Sequence, residues 1–280
     1  MEKLSDYSEL VMFQHSIFSL PFIFIAMLVA ADGWFGWKLF FLGILAAVSA
    51  RNFAMGVNRY LDRDIDALNP RTKGRPSVDG RVNERSMQLF IVGNALLFIV
   101  TAYFINTLAL VLSIPILIIL AAYTYFKRFS AAAHLILGVS LGLAPIAGAV
   151  AVLGEIPLWS VYLAAGVTFW VAGFDLLYSL QDMAFDRAHG LHSIPAKLGE
   201  KKTMMIARFS HLLAVIFWGL FVSPSNIGSY GVLAVIVSTL LLGYEHYLVF
   251  ENPKKIDKAF FTVNGYLGFV FLLFIILGVS

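Results

Sequence analysis

The sequence predicts an all-α membrane protein, with nine transmembrane helices around a central cavity capped by two cytoplasmic loops. Three observations carry that expectation. Hydrophobic residues make up 60% of the 280 positions and charged residues only 13%, far from the balance of a water-soluble domain. The apolar residues fall in long runs, each near the ~20 residues that cross a ~30 Å hydrocarbon core as a helix. Lys and Arg gather in alternate connections between those runs, the pattern expected of cytoplasmic loops.

Taken in order, the spans are Leu10–Ala31, Leu39–Leu61, Ser86–Asn106, Leu108–Phe126 and Ala131–Leu153, followed by Leu158–Leu180, Thr203–Val222, Tyr230–Phe250 and Ala259–Val279. Pro21, Pro115 and Pro145 lie inside three of them and are expected to kink rather than end them. No low-complexity tract or second domain is visible, so residues 1–280 are expected to form one transmembrane domain. The chain has no cysteine, which excludes disulfides and thiolate metal sites. Met1 to Glu9 is acidic and polar, unlike the basic start of a signal peptide.

The loop after the second span holds Arg63, Arg71, Lys73, Arg75, Arg81 and Arg85. Those after the fourth, sixth and eighth hold Lys127 and Arg128; Arg187, Lys197, Lys201 and Lys202; and Lys254, Lys255 and Lys258. The opposite side carries Lys38 and almost nothing else basic. This alternation places the N-terminus in the cytoplasm and the C-terminus outside, in a multi-pass protein of the cell (inner) membrane. The net charge of +3 is thus explained by topology, and no nucleic-acid partner is expected.

Two loops are long, Arg63–Arg85 and Met183–Lys202, and each follows an acidic motif. The motifs are Asn58-x3-Asp62-x3-Asp66 and Tyr178-x3-Asp182-x3-Asp186, superimposed by one offset of 120 (178 − 58). Spacing of four places each trio along one helical face as a column of oxygen ligands. The offset suggests a pseudo-repeat in which the second and sixth spans face each other across a cavity. Mg²⁺ prefers carboxylates, waters and substrate phosphate, so two acidic columns without His or Cys suit metal bridging to a diphosphate. The alternative is that the aspartates end helices and pair with Arg63, Arg71 and Arg187. Two motifs in register, each followed by a basic loop, favour the metal site.

A diphosphate also needs cationic clamps. Lys127, Arg128, Arg71, Lys73 and Arg75 could reach the same mouth, or could merely anchor the topology. Arg51 lies seven residues before Asn58, about 10 Å deeper on the same face, and Asp175 relates to Asp182 in the same way. These two could neutralise each other. They could equally floor a pocket in which Arg51 holds an anionic or phenolic substrate and Asp175 orients or deprotonates it. His15, a lone histidine in the first span, is a weaker candidate. Ionisable groups at membrane depth are read first as functional. A cation-coupled transporter is a second reading, but such sites usually lie near the bilayer midplane on broken helices, whereas these acids sit at helix ends beside basic loops.

At these residues the chain resembles the UbiA superfamily of intramembrane prenyltransferases. The stretch from Asn58 to Asp66, continuing through Asn69-Pro70-Arg71-Thr72 and Arg75-Pro76, is similar to its first signature. Tyr178-x2-Gln181-Asp182-x3-Asp186, continuing to Gly190, Ser193 and Gly199, is similar to the second. The first motif also resembles haem O synthase, but that group lacks an acidic second motif. The wording of Phe174 to Asp182 and of Phe13 to Pro21 looks like the 4-hydroxybenzoate polyprenyltransferase-like branch. Some members of that branch are assigned to menaquinone synthesis through futalosine, where the acceptor is a dihydroxynaphthoate.

The resemblance implies that Asn58, Asp62, Asp66, Asp182 and Asp186 hold Mg²⁺ on a polyprenyl diphosphate, with Lys127, Tyr123, Arg71, Arg75 and Tyr178 binding the diphosphate. It implies that Arg51 and His15 bind a small aromatic acid acceptor, with Asp175 positioning it or removing a proton. The lipid bilayer is the remaining partner. The activity implied is transfer of a polyprenyl chain to 4-hydroxybenzoate or a similar acid in ubiquinone or menaquinone biosynthesis.

Overall fold

A computed structural model of the chain describes residues 3–12, 20–126, 128–225, 227–252 and 256–279, and helix is the only regular secondary structure among them. In chain order the helices are α1 (Leu4–Leu10), α2 (Leu20–Ala31), α3 (Trp37–Leu61), α4 (Arg63–Leu68), α5 (Glu84–Ile105), α6 (Thr107–Phe126) and α7 (Ala133–Leu153). There follow α8 (Leu158–Tyr178), α9 (Met183–Ala188), α10 (Ile194–Leu198), α11 (Glu200–Val222), α12 (Gly228–Glu251), α13 (Ile256–Lys258) and α14 (Asn264–Gly278). Among the described residues, eight helical segments are long and apolar enough to cross a membrane, and the protein is an integral membrane protein. They correspond to the second through ninth expected spans. Of the first, Leu10–Ala31, the 12-residue α2 is described, α1 precedes it and shares only Leu10, and residues 13–19 lie outside the described residues.

Local chemistry sets several boundaries. Asn106 separates α5 from α6: its Oδ1 accepts from Ala109 N (2.8 Å) while its Nδ2 donates to Val150 O of α7 (2.7 Å), so one side chain caps a helix and pins a hairpin. Asn83 caps α5 by accepting from Ser86 N at 3.0 Å. Pro115 and Pro145 lie inside α6 and α7, as expected, while Pro21 is the second described residue of α2.

In hydrocarbon, apolar side chains gain nothing by leaving lipid for another apolar surface, so close backbone approach and shape matching drive helix association. The tightest packing centres on α8, held between α7 and α11. A Cβ on Gly138 of α7 would lie 2.3 Å from Thr168 O of α8, an approach open only to glycine. On the far face of α8, the Trp218 ring of α11 fills the space beside Gly166. Trp170, Trp218, Phe22 and Phe271, all buried, form an aromatic core joining α2, α8, α11 and α14. By contrast α3 packs on α5 and α6, and a cavity separates it from α8. Leu89, Val92, Leu96, Ile118, Met205 and Leu240 are among many large apolar side chains turned outward, which lipid would cover. Trp34, Trp37, Phe40 and Phe41 cluster around the α2–α3 connection, as aromatic residues do at a membrane interface.

Because the obstruction at Gly138 is backbone, Gly138→Ala is expected to cost about 1–3 kcal/mol, read as earlier thermal unfolding in detergent. Gly93→Ala in α5, where the added methyl meets open space, is expected to hold or raise the midpoint.

Candidate active site

A cavity of 340 Å³ opens at the end of the bundle where α3 and α8 stop and both long loops begin. It is lined by Arg51, Asn58 and Asp66 from the first half of the chain and Asp175, Asp182 and Asp186 from the second. Tyr123, Arg71, Arg75 and Tyr178 also line it, so the structure brings together most of the residues singled out in the sequence. His15 and Lys127 lie outside the described residues.

The first motif keeps its helical register across the break between α3 and α4. Asp62 N bonds Asn58 O at 3.0 Å and Asp66 N bonds Asp62 O at 2.8 Å, so the three side chains remain one column. Asp62 is 1% and Asp66 5% exposed, a depth at which carboxylates require partners. Asn58 Nδ2 donates to Asp62 Oδ2 at 2.9 Å, and Arg59 orients that amide by donating to Asn58 Oδ1 at 3.0 Å. Arg75 Nη1 pairs with Asp66 Oδ2 at 2.6 Å. Arg128 approaches Asp62 Oδ1 to 3.9 Å but bonds Asp64 more closely, at 2.7 Å, and that bond holds the Asp64 carboxyl below its ordinary range.

The second motif departs from a single helical face. Beyond Tyr178 the chain tightens into a 3₁₀ turn, Ser179–Asp182, before α9 begins, so Asp182 and Asp186 are rotated off the column that unbroken α-helix would produce. Both still line the cavity, because the loop of the first motif reaches across to meet them. Arg71 grips Asp182 with two nitrogens, Nε to Oδ1 at 3.0 Å and Nη2 to Oδ2, and donates through Nη1 to the Tyr178 hydroxyl at 3.2 Å. Asn69 Nδ2 adds a third bond to Asp182 Oδ1 at 3.2 Å. Burial opposes the charge of Arg71, but Asp182 outweighs it and holds the guanidinium above its ordinary pKa.

Deeper in, Arg51 and Asp175 do not neutralise each other. Asp175 Oδ2 is bonded to His134 Nδ1 at 2.7 Å, and His134 Nε2 accepts from Ile194 N at 3.5 Å, which assigns the ring proton to Nδ1. Arg51 donates from Nη2 to Met12 O at 3.4 Å and keeps a buried Nε with no partner among the described residues. Below them the lining becomes apolar. Two further cavities, of 150 and 200 Å³, run between α3, α5, α6 and α7 past Ala46, Phe98, Ile116 and Ala147. The first of these shares Arg51 and Tyr123 with the polar cavity above it.

Sequence reading missed His134, Asn69 and Arg59 as parts of this site. Arg59 and Asn69 sit within the first motif's own stretch. His134 opens α7 as a lone histidine, with no spacing to link it to Asp175.

An intramembrane helical bundle with two acidic motifs converging over an apolar cavity defines the class of protein. The model of the UbiA prenyltransferase family matches residues 19–275. The chain belongs to that family, whose members are membrane-embedded enzymes that transfer prenyl groups. It is similar to the 4-hydroxybenzoate octaprenyltransferase of Vesicomyosocius okutanii, 27% identical over 91% of this chain and 93% of that one. The Marinomonas sp. protein of the same name is 30% identical over 80% and 84% of the two chains. Among solved structures, a UbiA homologue from Aeropyrum pernix superposes with a TM-score of 0.85 at 32% identity, covering 94% of this chain and 97% of that one.

The two motifs differ in how deeply their ion pairs are buried. Asp66→Ala, which leaves Arg75 without its buried partner, is expected to destabilise by about 1–3 kcal/mol. Asp182→Ala, whose pair with Arg71 is partly exposed, is expected to cost at most about 1 kcal/mol. Thermal unfolding of the two variants in one detergent compares them.

Proposed function

We propose that the protein is a Mg²⁺-dependent aromatic polyprenyltransferase that moves a polyprenyl chain from its diphosphate to 4-hydroxybenzoate or a similar aromatic acid in quinone biosynthesis. The observation that carries this reading is the gradient within one cleft: carboxylates and guanidinium groups at the mouth, apolar cavities below. A polyprenyl diphosphate has the same two ends. The curated relatives, each named a 4-hydroxybenzoate octaprenyltransferase, support the choice of acceptor. The positive-inside distribution supports a mouth on the cytoplasmic face of the cell membrane.

The donor set fits Mg²⁺. Asn58, Asp62, Asp66, Asp182 and Asp186 offer only oxygen, and among the described residues no three carboxylates or imidazoles converge on one point. That suits an ion held by one or two carboxylates and completed by substrate phosphate. When bound there, Mg²⁺ supplies neutralisation of the leaving diphosphate. Arg71, Arg75, Lys127, Tyr123 and Tyr178 bind the diphosphate oxygens in this reading. Arg51, whose buried Nε has no partner among the described residues, holds the acceptor's carboxylate, together with His15. As the C–O bond to diphosphate breaks, the allylic carbon is taken by the ring carbon ortho to the acceptor's hydroxyl. Asp175, oriented by His134, positions the phenol or accepts the proton that leaves. The apolar lining keeps water from the cation.

Two measurements test the reading. Membranes containing the protein, given Mg²⁺ and a polyprenyl diphosphate, are expected to yield prenylated 4-hydroxybenzoate by mass spectrometry. Product from 1,4-dihydroxy-6-naphthoate alone would instead assign it to the menaquinone pathway. Asp62→Ala or Asp182→Ala, or chelation of Mg²⁺, is expected to lower turnover by about 10³-fold or more, the loss of several kcal/mol of charge stabilisation. Undiminished turnover in either variant at limiting Mg²⁺ rules out the metal assignment.

A further inference from the structure

The second half of the bundle holds a polar cluster that the proposed reaction does not use. Asn264, at the start of α14, has no exposed surface. Its Oδ1 accepts from Trp170 Nε1 of α8 at 2.7 Å, and its Nδ2 donates to Glu245 Oε1 of α12 at 2.8 Å. The same Nδ2 reaches Phe260 O at 3.2 Å and Ala259 O at 3.4 Å. Every hydrogen-bonding group of the amide is engaged. Glu245 is itself buried, and among the described residues no cation lies within ion-pair distance of it. Burying this much polarity at membrane depth is costly and calls for a reason.

The reason lies one turn earlier. Ala259–Val263 forms a π-helical turn, the wide form of helix that concentrates at functional sites. The Asn264 amide bonds two carbonyls of that turn. The turn carries Phe260 into the lining of the active-site cavity. There the Phe260 ring lies 4.3 Å from that of Tyr178 and 5.1 Å, edge-on, from that of Phe174. Tyr178 in turn lies under the Arg71 guanidinium, 5.5 Å from ring centroid to cation. Removing one residue's worth of widening would rotate the chain before α14 by about 100° relative to it, swinging Phe260 off Tyr178.

We propose that Asn264, held by Trp170 and Glu245, is a positioning residue that fixes the π-turn and so seats Phe260 as the aromatic wall beside Tyr178 where the prenyl diphosphate binds. This rests on the reading of the site as a prenyl diphosphate site. The test is calorimetric binding of a non-hydrolysable geranyl thiodiphosphate with Mg²⁺ to the full chain in detergent. Asn264→Leu and Phe260→Ala are each expected to weaken binding about tenfold, about 1.4 kcal/mol. The double variant is expected to bind no more than about twofold worse than either, because both remove one contact. Glu245→Gln, which keeps an acceptor for Asn264, is expected to recover most of the affinity that Glu245→Leu loses. If Asn264→Leu does not accumulate as folded protein, Trp170→Phe, which keeps an aromatic ring there and removes the donor, takes its place in the cycle. Wild-type binding by the Asn264 variant, or losses that multiply in the double variant, overturns the positioning role and leaves the donor site standing. Failure of the unaltered protein to bind the analogue overturns the donor site and the inference with it.

Discussion

Bringing carboxylates of two sequence-distant motifs to one place at the edge of an apolar bundle is the constraint on which the rest of the structure turns. Each acid that converges there raises the electrostatic cost of the next, and low-dielectric surroundings magnify it. The chain meets this with arginines from a single loop. Arg75 returns to Asp66 of the loop's own motif, while Arg71 crosses to Asp182 of the other. One short segment therefore both balances the charge and fastens the two halves of the bundle across the cavity. That fastening explains why α3 and α8 can stand apart with space between them.

The scaffold answers the same constraint from the opposite side. A cleft of this size needs rigid walls, yet lipid provides no hydrophobic force to press helices together. Rigidity comes instead from close approach at Gly138 and from the interlocked rings of Trp170, Trp218, Phe22 and Phe271. The wall formed by α8 is thus the best-supported element of the bundle, and it carries Asp175 and Tyr178, the first residue of the second motif.

Most of the architecture was legible because hydrocarbon imposes long apolar runs, and such runs can be counted. Spans from Leu39–Leu61 onward match the helices within a few residues. The column of the first motif was legible as well, since spacing of four survives in i to i+4 backbone bonds from Asn58 to Asp66. What stayed hidden depends on partners far apart in sequence. Spacing alone sets Asp175 opposite Arg51, as a neutralising pair or as the floor of a pocket, yet its bonded partner is His134, on a helix whose rotation no local pattern fixes. The 3₁₀ tightening at Ser179–Asp182 and the π-turn at Ala259–Val263 were invisible for a related reason: both are departures from ideal helix that tertiary contacts stabilise, and periodicity assumes the ideal.

The passage from charged mouth to apolar depth has a kinetic side. An amphiphile with an anionic head and a long hydrocarbon tail is already dissolved in the leaflet, held there by about 0.8 kcal/mol for each buried methylene. A cleft whose own polarity changes along the same axis can take in such a molecule without lifting it into water. Encounter then becomes a search in two dimensions, and the quantity that governs saturation is mole fraction in the membrane rather than concentration in the surrounding solution.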